Sequence, residues 1–253
     1  MDFFVKPDSI VRKIWGKSDT VLFIFAGAAA EFALNKAVDW LYFTGKLPAD
    51  PIGRLFSTVT YARMIVFSKT EDALKAIDKI SSIHAAVEKN RGANIPDWAY
   101  RDVLFMLIHY SIAAYELLER KLSAGEKQEV YDVFYRLGKR MQLKDLPENY
   151  AEWLPVRDQH LKTNLEKTNY SIDLFLQYKK HLGKIRYKIL KEAQLLVVPP
   201  QVKAMLNFGK ISWLKPAAPL YKFSRIIHLD GLVKAILLPS DYKKQIKALD
   251  VVR

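Results

Sequence analysis

Residues 103–114 read Val-Leu-Phe-Met-Leu-Ile-His-Tyr-Ser-Ile-Ala-Ala, a run that is apolar almost all the way round a helix. A surface helix buries one stripe, whereas a helix apolar on every side lies inside. The stretch therefore predicts a central helix carrying His109 in its middle. Outward from it, the chain keeps helical periodicity between breaks near residues 46–53, 91–97, 121–125, 144–148, 198–200, 209–219 and 239–240, each containing glycine or proline. No stretch alternates at period two as a half-buried strand would. Ser68-x-x-Glu71 and Ser123-x-x-Glu126 read as capping boxes, and Pro51 and Pro147 suit first helical turns. The lysine-rich, tyrosine-rich stretch 161–190 is amphipathic and is expected to pack over the core of the earlier helices. A last helix is expected from Pro239-Ser240, with Tyr242, Ile246 and Leu249 at helical spacing. The expectation is one all-α domain of about ten helices over residues 1–253, with residues 1–18 as an N-terminal extension.

The 253 residues, half of them hydrophobic, are enough to bury a sizeable core. Lys plus Arg is 40 and Asp plus Glu is 27, a net charge of +13 spread along the chain with no dense block. That excess suits an anionic membrane surface, nucleic acid or simply a basic surface. Aromatics are not interleaved with Arg or Gly as a stacking platform for bases needs, so no nucleic acid partner is expected. The absence of cysteine excludes disulfides, thiol catalysis, iron–sulfur clusters and thiolate metal sites, and it fits a cytoplasmic protein. The most apolar run, Val21 to Ala30, meets Glu31 well short of the ~20 residues of a spanning helix and reads as a core helix. The first seventeen residues hold no signal-peptide pattern.

Known catalytic motifs are missing: no Walker loop, no Gly-x-Gly-x-x-Gly, no Gly-x-Ser-x-Gly and no His-Glu-x-x-His. A di-iron bundle needs Glu-x-x-His, and none of Ser81, Met106, Arg157, Tyr178 and Arg225, three before the histidines, is a glutamate. What remains are polar groups stranded on apolar faces. In the helix expected over residues 71–90 the stripe Ala73, Ile77, Ile80, His84, Val87 places an imidazole on the inward face. Such an imidazole either finds a hydrogen-bond partner in the core or ligates a metal. His109 is expected to be buried likewise, whereas His160, His181 and His228 lie among charged residues and read as surface positions. After Asp50-Pro51, the residues Arg54, Ser57, Thr58 and Tyr61 form a polar stripe on an otherwise apolar helix. Arg54 either pairs with Asp50 or faces an anionic or oxygen-rich ligand.

These segments, taken in order, resemble the haem-dependent oxygenase family that includes the fungal MpaB enzymes and the bacterial rubber oxygenases, or latex-clearing proteins. Asp50-Pro-Ile-Gly-Arg-Leu-Phe-Ser-Thr58 is similar to the family's Arg-Leu-x-x-Thr helix, and Ile83-His84-Ala85-x-Val87 to its Leu-His-Ala-x-Val. His109, Leu122-Ser-x-x-Glu126, Tyr131, the Leu-Pro-x-x-Tyr-x-x-Trp of residues 146–153 and Leu237-Leu-Pro-Ser-Asp-Tyr242 follow in register. The resemblance implies a globin-like all-α core and a haem b cofactor. It makes His84 the iron ligand, sets Arg54 and Thr58 on the oxygen side, and puts Ser57 and His109 beside the cofactor. Rubber oxygenases carry a lysine where this chain has Ser57, and the family carries arginines where it has Ser81 and Glu88. Haem propionates are then expected to use Arg54, Lys79 or Lys89.

The functional expectation is an oxygenase using haem b and O₂ on an apolar, isoprenoid or lipid-like substrate, walled by Phe56, Phe105 and Leu107. The alternative is a non-catalytic helical protein that binds lipid or a membrane surface through residues 213–238, which mix aromatics, Lys and Leu. Peripheral membrane contact is compatible with both.

Overall fold

The computed structural model describes residues 2–209, 211–216 and 250. In chain order the helices are α1 Ile10–Trp15, α2 Ser18–Phe32, α3 Val38–Phe43, α4 Lys46–Ala49, α5 Pro51–Phe67, α6 Thr70–Arg91, α7 Asp97–Leu118, α8 Ala124–Arg140, α9 Tyr150–Thr163, α10 Asn169–Val197 and α11 Pro200–Met205. The fold is all-α, with eleven helices and only two isolated β-bridges among the described residues.

Helix α7 is central, as its composition requires. Leu104, Phe105, Ile108, Tyr110, Ser111 and Ala114 are all buried, and α2 lies along it. The close approach depends on Gly27, where a Cβ would come within 2.3 Å of the Tyr110 ring. Val21 to Ala30 forms most of α2 and sits in the core, and no described helix is long and apolar enough to cross a membrane. Within residues 1–18, Val5, Val11, Ile14 and Trp15 join the main core. Trp15 donates its indole N–H to Ser111 Oγ at 3.1 Å, which satisfies the polar edge of a ring with no exposed surface.

Two local expectations fail for identifiable reasons. Ser68 ends α5, and α6 starts on Lys69 without a side-chain cap. The first-turn amide of Thr70 bonds instead to the Asp2 carbonyl at 3.1 Å, and Glu71 pairs with Lys75 at 2.6 Å. Pro147 lies before α9, whose cap is Asn149, and its carbonyl accepts the Tyr131 hydroxyl. By contrast, the Ser123/Glu126 box is formed, and Asp50 caps α5 through the Gly53 amide at 2.8 Å. The stretch 161–190 is not continuous: α9 ends at Thr163, and Gly183, with φ 73° and ψ 170°, kinks α10. The segment expected as a last helix, with Tyr242, Ile246 and Leu249, lies outside the described residues, as do His228 and most of residues 213–238.

Candidate functional site

Helices α5 and α6 form an antiparallel hairpin joined by Ser68 and Lys69. Arg54 stands 14 residues before Ser68, and His84 stands 15 after Lys69. At a rise of about 1.5 Å per residue both lie about 21–23 Å from the turn, at one height. The hairpin therefore brings the two together, and the Arg54 charge acts on the His84 ring.

His84 is partly buried. Its Nδ1 is enclosed and has no hydrogen-bond partner, and its ring meets Tyr100 edge-on at 5.1 Å. Burial is the main cause that lowers its pKa. The Arg54 charge lowers it further, while Glu88 opposes. The imidazole is thus neutral at pH 7, the form that can donate a lone pair. Arg54 Nη1 donates to Thr58 Oγ1 at 3.1 Å, and the Thr58 hydroxyl donates back to the Arg54 carbonyl at 3.2 Å. Asp50 serves as the cap of α5, and no described ion pair includes Arg54. A guanidinium held one turn deep by a threonine, beside a neutral imidazole, is a ready donor to a developing or resident negative charge.

Glu88 is occupied locally, accepting from the Ile95 amide at 2.8 Å and the Tyr100 hydroxyl at 3.1 Å. Ser81 Oγ bonds within its own helix, to the Ile77 carbonyl at 3.3 Å. Ser57 is exposed and lines a groove of about 770 Å³ between α5 and α6 together with Tyr61, Met64 and Lys79. Lys89 is also exposed.

His109 makes no direct contact with this pair. It is partly rather than fully buried, and no described hydrogen bond, ring contact or electrostatic coupling joins it to His84 or Arg54. It donates a ring N–H to the Val197 backbone, and its Nε2 is enclosed without a partner. Burial and the neighbouring Arg157 push its pKa down to about 3.

Arg157 is the centre of a buried polar cluster that the sequence reading missed. Its Nη2 lies 2.5 Å from Glu31 Oε2, which also accepts from the Tyr110 hydroxyl at 2.8 Å. Nearby, Asp102 pairs with His160 and accepts from Asn35 at 2.7 Å and Asn164 at 3.0 Å. His160 is therefore no surface residue: its side chain is 11% exposed. The available signal was the placement of Arg157, His160 and Asn164 at i, i+3 and i+7, with Glu31 and Asn35 at i and i+4. Phe105, expected as a substrate wall, packs on Trp153 at 6.0 Å and His160 at 5.1 Å and so lies on this side. Phe56 is buried, and Leu107 is partly buried.

Among the described residues no three His, Cys, Asp or Glu side chains converge as a metal site. A metal at His84 would have one protein ligand there and would need the rest of its ligands from a bound group. A family model described as "ER-bound oxygenase mpaB/B'/Rubber oxygenase, catalytic domain" matches residues 13–229. No curated protein and no solved structure matches.

Proposed function

The chain belongs to the mpaB/rubber oxygenase catalytic-domain family, and from that premise we propose that it is a haem b-dependent oxygenase whose iron is held by His84. Membership makes it an oxygenase domain, acting on a small molecule with O₂. The observation that carries the haem reading is the state of His84: a neutral imidazole with an enclosed nitrogen that no protein group satisfies. A single protein ligand suits a macrocycle that brings four nitrogens of its own.

Haem, when bound, supplies the redox chemistry that activates O₂. The chain supplies position and charge. His84 would hold the metal, and Arg54 would donate charge-assisted hydrogen bonds toward reduced oxygen. Thr58 fixes the Arg54 side chain, so that donor needs little reorganisation. Lys79 and Lys89 on α6 would serve haem carboxylates, with Ser57 beside Lys79 in the groove, while Arg54 serves oxygen. Ile80, Ile83 and Val87 on α6 and Leu55 on α5 offer apolar surface for a hydrocarbon substrate, isoprenoid or lipid-like. His109 is assigned to the Arg157 cluster and given no contact with the cofactor. The charge and the lack of cysteine support a cytoplasmic place with peripheral membrane contact.

The test is oxygen consumption by haem-loaded protein given unsaturated isoprenoids or lipids, with product analysis in ¹⁸O₂. Arg54→Ala is expected to keep haem and lose about a hundredfold to a thousandfold in rate, the scale of losing one oxyanion donor. If haem is loaded and no unsaturated substrate consumes oxygen, the reading of the reaction is wrong.

A further inference from the structure

Residues 178–191, Tyr-Lys-Lys-His-Leu-Gly-Lys-Ile-Arg-Tyr-Lys-Ile-Leu-Lys, carry six Lys and Arg and no Asp or Glu. They form the middle of α10, whose inner face buries Leu174 and Tyr178. The outer face is not simply solvated polar surface. Before the Gly183 kink it carries Ile172, Leu176, Lys179 and Lys180 at i, i+4, i+7 and i+8, all exposed. After the kink, Lys184, Ile185 and Lys188 are exposed. Ile172 is 52% exposed, Leu176 57% and Ile185 77%. Ile172 and Leu176, one turn apart, form an exposed aliphatic pair before the kink, and Ile185 stands open among lysines after it. No ion pair among the described residues uses Lys179, Lys180, Lys184 or Lys188, so those charges are available.

We propose that the outer face of α10 docks on an anionic lipid bilayer, its lysines at the headgroups and Ile172, Leu176 and Ile185 entering the acyl boundary. This mixture of cationic and aliphatic groups, exposed on both arms of the kinked helix, is what a bilayer interface accommodates. A second copy of the chain would oppose like-charged lysine faces in a protein of net charge +13. Residues 217–249 hold six Lys and Arg against two Asp and so offer these lysines little countercharge. Nucleic acid would meet the lysines but offers no sink for three exposed aliphatic side chains.

The inference does not rest on the oxygenase reading, and its assay uses the full chain without cofactor or substrate. Sedimentation with vesicles of pure phosphatidylcholine is compared with vesicles containing one-third phosphatidylserine, at low and high salt. The protein is expected to sediment with the phosphatidylserine vesicles alone and to be released as salt rises. Lys184→Gln with Lys188→Gln should weaken binding about thirtyfold. Ile185→Ser should weaken it separately while leaving the salt dependence in place. Circular dichroism checks that each variant is folded. The proposal is overturned if neither vesicle binds, if the lysine variant binds like the wild type, if Ile185→Ser abolishes self-association rather than vesicle binding, or if RNA binds and vesicles do not compete.

Discussion

The Arg54 guanidinium on α5 and the His84 imidazole on α6 sit at one height of a helical hairpin, and the charge of the first helps keep the second unprotonated. The carboxylate nearest in effect, Glu88, pulls the other way but is tied to the Ile95 amide and the Tyr100 hydroxyl. Burial and Arg54 prevail, so His84 stays neutral below the pH at which an ordinary imidazole charges.

This coupling can be read directly in the cofactor-free protein. Removing a positive neighbour makes protonation easier, so Arg54→Ala should raise the His84 pKa toward its ordinary value. Glu88→Gln should lower it further. Titration of the His84 ring carbon proton by NMR checks both signs. An unchanged His84 pKa in Arg54→Ala would separate the two residues and remove the electrostatic part of the site.

The Glu31–Arg157 pair should behave as a buried ion pair. Arg157 is 4% exposed and Glu31 1%, so removing either partner strands a charge. Arg157→Met alone is expected to cost about 3–5 kcal/mol of unfolding free energy. Arg157→Met with Glu31→Leu should recover much of that loss, because no unpaired charge is left. Denaturant unfolding at fixed pH measures both, and a single variant as stable as the wild type would contradict the pairing.

His109 should make the fold acid-sensitive. Its pKa is about 3 in the folded chain and about 6.5 in the unfolded one, so the unfolded state binds more protons between those values. Stability from this group is fully present above about pH 6.5 and falls progressively as pH drops toward 3. His109→Leu should flatten that part of the profile of stability against pH. An identical acid profile in the variant would place the sensitivity elsewhere.

The central helix was legible because twelve residues in a row carry one message, and no competing pattern contradicts it. The Arg54–His84 relationship was legible from motif order, and the short α5–α6 connection then fixed the geometry. The polar cluster was not. Glu31 and Arg157 are 126 positions apart and Asp102 and His160 are 58 apart, and a charged residue read alone scores as surface unless its partner is known. The Ser68–Glu71 box failed because Ser68 closes α5 with its own amide on the Met64 carbonyl, and Glu71 turns to Lys75. The basic character of α10 was visible as composition, but which of its aliphatic side chains stay exposed depends on the fold around it.

The most direct test of the account is a haem titration of the purified chain followed by its Soret band. The wild type should bind haem with the spectrum of a histidine-ligated b-type site. His84→Ala should lose that spectrum, while His109→Ala, with its separate cluster, should keep it. A wild type that shows no Soret band after reconstitution, or a His84→Ala variant that keeps the wild-type spectrum, would contradict the assignment of His84 as the iron ligand.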